Sequence, residues 1–91
     1  MDREELLKLI ESKEVIGIDL SGQRLEKIDF TGCRIERTSF KGCELVHCRF
    51  RNTKISWSDF RYAEIQHGTF EGAEIEFSDF YRAFIDGVVI F

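Results

Sequence analysis

Fifteen consecutive positions spaced five apart, from Leu20 to Ile90, are all apolar. Phe stands at each tenth residue in the middle of this run, at Phe30, Phe40, Phe50, Phe60, Phe70 and Phe80. Between them lie the aliphatics Leu25, Ile35, Leu45, Ile55, Ile65, Ile75 and Ile85. A period of five is odd, so it matches neither the two-residue alternation of a flat strand nor the 3.6-residue turn of a helix. The chain must therefore turn a corner once per repeat. Two places before each of these centres, from Cys33 to Ala83, the residue is always small. In extended backbone, residues two apart point to the same side, so centres and small residues share one face. Two places after the centre stand Gly22, Gly32, Gly42, Asn52, Gly72 and Gly87, the residues that tolerate the positive φ of a tight corner.

Segments such as Ala63-Glu64-Ile65-Gln66-His67, Ala73-Glu74-Ile75-Glu76-Phe77 and Ser78-Asp79-Phe80-Tyr81-Arg82 resemble the motif of the pentapeptide-repeat family, from about Ile18 onward. The resemblance implies an all-β solenoid, a right-handed quadrilateral β-helix with four five-residue faces per coil and about four coils over 18–91. Gln23, in a place that should be small, and Phe84 and Val89, in places that should be polar, depart from the motif.

Residues 2–13 read as an α-helix that caps the solenoid, with residues 1–17 forming the cap and lead-in. Asp2 is placed to cap its N-terminus with Glu5 three residues on, and Leu6, Leu7, Leu9 and Ile10 supply an apolar side. Val15 and Ile16 then lead into the first coil. The net charge is -4, which leaves no basic footprint for nucleic acid. The sequence has no apolar run of bilayer length and no signal-peptide pattern at its start, so a cytoplasmic protein without membrane contact is expected.

Cys33, Cys43 and Cys48 all fall on the inward side and read as buried reduced thiols, without disulfides. His47 points outward in the same frame and cannot share an ion with Cys43 and Cys48, so no metal or cofactor is expected. Positions four repeats apart lie one above another, which turns the outer surface into columns. One runs Arg37, Trp57, Phe77, a second Lys27, His47, His67, and a third Gly42, Tyr62, Arg82. An exposed Trp between a guanidinium and a Phe is the kind of anchor that interfaces use, so Arg37, Trp57 and Phe77 are the candidate partner-binding residues. The competing reading is a ladder of wide side chains shielding one corner. No acid, nucleophile or third ligand accompanies the histidines on this convex surface, so catalysis is not expected.

The family resemblance also implies a different function. Several members imitate duplex DNA and act on DNA gyrase, which makes a topoisomerase-directed mimic the alternative. The charges oppose it, because acids and bases balance on three faces and the face of Leu25, Leu45, Ile65 and Ile85 has a net of only -2, whereas a duplex carries one negative charge about every 1.7 Å. A non-enzymatic module that binds another protein or itself is the preferred reading. Its pattern breaks at the C-terminal end, where Val88-Val89-Ile90-Phe91 is apolar on both faces. A homodimer joined end to end through Phe84, Val89, Ile90 and Phe91 is expected, and the resemblance implies the same, since dimers in the family often join at this end. The alternatives are a chain cut from a longer solenoid, or a cap formed by Phe84 and Phe91 folding back.

Overall fold

A computed structural model describes residues 1–90. The first element is α1, Arg3–Ser12, and the Asp2 side chain accepts the Glu5 backbone N–H at 2.9 Å. Helix α1 ends at Lys13, whose left-handed backbone donates to the Ile10 carbonyl. Eight three-residue strands follow: β1 Glu14–Ile16, β2 Arg24–Glu26, β3 Arg34–Glu36, β4 Glu44–Val46, β5 Lys54–Ser56, β6 Glu64–Gln66, β7 Glu74–Glu76 and β8 Phe84–Asp86. They form two parallel sheets, β1-β3-β5-β7 and β2-β4-β6-β8. Each strand pairs with the strand one full coil further along the chain, so Ile35 lies over Val15 and Leu45 over Leu25.

The other two faces of each coil are joined by single-residue bridges, Asp19 to Ser39 to Asp59 to Asp79, and Asp29 to Arg49 to Thr69 to Val89. The result is a β-solenoid of about four coils with four faces. The first coil begins earlier than the sequence pattern suggested, at Glu14 rather than Ile18. β1 pairs with β3 in full register, and Val15 is buried as a centre, so the stretch 14–17 is part of the solenoid rather than a lead-in.

Division of labour among the faces explains the alternation of Phe with aliphatics. Phe30, Phe50 and Phe70 stack at 4.7 Å between ring centroids, and Phe40, Phe60 and Phe80 at 4.6 Å. The two stacks meet edge to face across the interior, for example Phe30 with Phe40 at 5.8 Å. This geometry satisfies the ring quadrupoles while filling the core. The branched aliphatics occupy the two faces that form the three-residue strands.

Corners lie two places after each centre. Ten residues other than glycine take positive φ there or at the helix end, among them Arg37, Trp57 and Phe77 at 49°, 52° and 51°. The left-handed region costs an L-residue roughly 1–2 kcal/mol. The corner N–H groups offset this by bonding to the coil above, as Arg37 does to the Ser56 carbonyl at 3.1 Å. On the Phe faces a second device recurs: the residue before the centre accepts the N–H of the residue after it. Asp19, Asp29, Ser39, Asp59, Thr69 and Asp79 all do so. Gly68 shows how tightly the small inward places are packed, since a Cβ there would lie 2.4 Å from the Cys48 carbonyl oxygen.

Candidate interaction surface

Each inward centre is covered by its counterpart in the next coil, and that rule decides where apolar surface is left open. On one strand face Ile35 is 0% exposed and Ile55 1%, but Ile75 is 40% exposed. On the opposite strand face Leu45 is 0% and Ile65 1% exposed, against 45% for Ile85. Ile90 ends its column at 51%. These side chains border a hollow of ≈ 280 Å³ lined by Phe70, Ala73, Ile75, Phe80, Ile85 and Ile90. Around it β7 and β8 are the outermost strands of their sheets.

Of the four residues expected at a dimer contact, Phe84 and Val89 are exposed on the outer side and Ile90 is exposed as an inward centre. Phe91 lies outside the described residues. Val89 also breaks the corner device of its face, because a valine cannot accept the N–H bond that Asp29 and Thr69 accept in its column. Sequence reasoning missed Ile75, Phe80 and Ile85, which follow the repeat perfectly. Their signal was the lack of a matching centre one full coil further on.

The other end of the solenoid is closed. Leu6 and Ile10 of α1 are buried, the Arg3 guanidinium donates to the Glu26 carbonyl at 3.2 Å, and the Lys13 ammonium to the Thr31 carbonyl at 3.1 Å. Of the four apolar residues assigned to the buried side of the helix, Leu7 instead faces solvent and Leu9 is half-buried. At 100° per residue only Leu6 and Ile10, four apart, share one line along the helix.

In the lateral column, Trp57 and Phe77 stack with centroids 4.7 Å apart and planes 13° apart, while remaining 62% and 69% exposed. Arg37 does not complete the expected sandwich. Its Nη1 lies 2.6 Å from Glu36 Oε1, and Arg34 binds the other oxygen of that carboxylate at 2.6 Å. A carboxylate is a stronger partner than a ring face, so Glu36 draws the guanidinium away. The cation–π contact present among the described residues is Arg82 over Tyr81 at 5.5 Å, with Tyr81 edge-on to Tyr62.

His47 and His67 stack at 5.3 Å beside Lys27, along an open groove that also includes Asp29, Arg49 and Thr69. Among the described residues no group of three or more His, Cys, Asp or Glu is placed to hold a metal ion. Cys33, Cys43 and Cys48 are free and buried. The Cys43 thiol donates to the Leu20 carbonyl at 2.9 Å, and burial pushes its pKa up to about 11. Burial raises the other two thiols as well, which disfavours thiolate chemistry at all three.

Six of the seventeen acidic residues are ion-paired with arginine. Arg24 bonds Glu44 at 2.9 Å, Arg51 lies 3.6 Å from Glu71, and Arg61 holds Asp59 at 2.8 Å. Hydrogen bonds from Arg61 keep the Asp59 carboxyl below its ordinary range, as those from Thr31 do for Asp29.

Parallel three-residue strands in a register of one coil, left-handed corners and an interior of stacked centres define a quadrilateral β-solenoid of five-residue repeats. The chain belongs to the pentapeptide-repeat family, whose model, described as a pentapeptide repeat region, matches residues 15–87. Among solved structures it is similar to HetL, a pentapeptide repeat protein involved in heterocyst differentiation regulation from the cyanobacterium Nostoc sp. strain PCC 7120. Identity is 16% and the TM-score 0.46, over 84% of this chain and 38% of HetL. It therefore spans well under half the length of that protein. Another similar structure is Rfr23, a pentapeptide repeat protein from the cyanobacterium Cyanothece 51142, at 11% identity and a TM-score of 0.41 over 94% of this chain and 92% of Rfr23. A third is QnrB1, a plasmid-mediated fluoroquinolone resistance protein, at 10% identity and a TM-score of 0.19 over 82% of this chain and 66% of QnrB1. No curated protein matches the chain in sequence.

Proposed function

We propose that this chain is a non-enzymatic interaction module that pairs with a second copy of itself, end to end, through its C-terminal coil. The observation that carries the reading is the uncovered interior: Ile75, Ile85 and Ile90 are 40–51% exposed, where the centres before them in the same columns are 0–5%. Contiguous apolar surface of this kind marks a contact site, and open strand edges around it offer backbone donors and acceptors to a partner. Pairing about a two-fold axis would cover both open ends at once and leave no further edge for growth. Phe84 and Val89 extend the apolar rim of the same end.

A gyrase-directed DNA mimic has weaker support. The longest dimension of the molecule is 28 Å, on which a duplex would carry about sixteen charges. Here six of the acids are paired with arginine within the chain, and the net charge is only -4. The three unpaired thiols suit a reducing compartment, and we place the protein in the cytoplasm. No helix among the described residues is long and apolar enough to cross a membrane.

Sedimentation at micromolar concentration tests the pairing. Wild type should sediment as a dimer, and Ile75→Lys with Ile85→Lys as a folded monomer, the fold being checked by circular dichroism. A wild-type protein that remains monomeric, or a double variant that still pairs, removes this reading.

A further inference from the structure

We propose that the groove beside the Trp57–Phe77 stack receives an arginine side chain presented by a protein partner. The proposal rests on reading the chain as an interaction module and goes beyond it by naming the chemistry of the partner. The groove measures ≈ 390 Å³ and is lined by Trp57, Phe77, Asp59, Asp79, Arg61 and the two serines Ser58 and Ser78. The exposed aromatic stack and the carboxylates of Asp59 and Asp79 thus border one shallow groove, with the Arg61 guanidinium beside them.

The two carboxylates are treated differently by the chain. Asp59 is occupied by Arg61, whose Nε lies 3.0 and 3.1 Å from its two oxygens and whose Nη2 lies 2.8 Å from Oδ2. One coil further, Asp79 stands in the same column, but the place that Arg61 fills beside Asp59 is there taken by Tyr81. Asp79 accepts the Tyr81 backbone N–H at 2.9 Å, and among the described residues no cation comes within ion-pair distance of it. The decade 71–80 deepens the imbalance, with Glu71, Glu74, Glu76 and Asp79 and no lysine or arginine. Of these only Glu71 is ion-paired, to Arg51. Asp79 thus lacks the hydrogen-bonded guanidinium that Asp59 holds, and Arg61 acts on it only through space.

An arginine from outside suits both the rings and Asp79. Its planar group pairs with a carboxylate and stacks on an aromatic face at the same time, whereas a lysine ammonium is a compact, strongly hydrated point charge that stacks less well. The molecule already uses each half of this arrangement, Arg61 on Asp59 and Arg82 over Tyr81.

Trp57 is the only tryptophan in the chain, so its fluorescence reports the groove directly. The probe is the blocked tripeptide acetyl-Gly-Arg-Gly-amide, titrated beside its neutral citrulline counterpart. The arginine peptide should give a saturable change at millimolar concentration, at least about five-fold tighter than the citrulline peptide and weakened by about 0.5 M salt. Asp79→Asn should weaken it about five-fold as well. This variant keeps an acceptor for the Tyr81 N–H, so the corner is retained, and circular dichroism checks it. An equal response to both peptides, or an unchanged response in Asp79→Asn, overturns the proposal. Sedimentation of the same samples separates this result from the self-pairing. A monomer that responds selectively to arginine supports the groove and removes the dimer, while a dimer indifferent to arginine overturns the groove alone.

Discussion

The two ends of this solenoid leave their terminal centres in opposite states, buried at one and exposed at the other. At either end the centres lack one neighbouring coil among the described residues. At the N-terminal end Leu6 and Ile10 of α1 are laid against the first coil, and the Arg3 and Lys13 side chains tie the helix to backbone carbonyls of that coil. Val15 and Leu20 beneath it are completely buried. At the C-terminal end Ile75, Ile85 and Ile90 are identical in kind to the covered centres, yet about half of each is exposed. A repeat carries no information about its own termination. What distinguishes the ends is a segment that lies outside the repeat, ten residues of helix at one side and no counterpart in the described residues at the other.

The largest effect that tests this comparison is in the Phe stacks. Phe50 is fully buried between Phe30 and Phe70, whereas Phe80 has Phe60 on one side alone. Phe50→Ala should cost about 3–5 kcal/mol, and Phe80→Ala clearly less, when both are measured by chemical denaturation. Equal costs would show that the C-terminal coil is as well covered as the middle.

A second contrast sets the cap against the open end. Leu6→Ala should lose about 2–4 kcal/mol, because a nearly inaccessible side chain leaves a cavity under the helix. Ile85→Ala, with its side chain already nearly half exposed, should lose about 1 kcal/mol in the monomer. A larger loss at Ile85 that depends on protein concentration would show the end to be buried in the dimer, which sharpens the comparison.

The smallest effect concerns the corners. Asp29→Val copies at the first coil what Val89 does at the last, removing a carboxylate that accepts both the hydroxyl and the N–H of Thr31. The loss should be about 1 kcal/mol at neutral pH. Those hydrogen bonds hold the Asp29 carboxyl below its ordinary value of 3.8. Its contribution is therefore present above that value and disappears as pH falls through the lower folded value. The difference between wild type and variant should shrink below about pH 4, and a difference independent of pH would remove the carboxylate as its cause.

Much of the molecule was legible before any coordinates. The five-residue spacing places every centre inside, the small residues beside them, and the glycines at left-handed corners. The cap helix was legible from Asp2, Glu5 and its apolar residues. Less legible was the start of the first coil, because Val15 stands on the five-residue frame but was read with Ile16 as a lead-in to repeats beginning at about Ile18. The candidate surface was half visible: Phe84 and Val89 declared themselves by breaking the pattern, while Ile75 and Ile85 kept it and so concealed their exposure.

The sequence by itself determined direction: which residues point inward, which outward, and which lie above which from one coil to the next. The tertiary structure alone decided coverage and partnership. Ile65 and Ile85 obey the same rule, but Ile65 is buried beneath Ile85, which has no later coil over it among the described residues. Arg37 could turn to Trp57 or to Glu36, and Asp79 could be answered or left open as Asp59 is answered by Arg61. Those outcomes depend on the competition among neighbours in three dimensions, which periodicity constrains to a column but does not resolve within it.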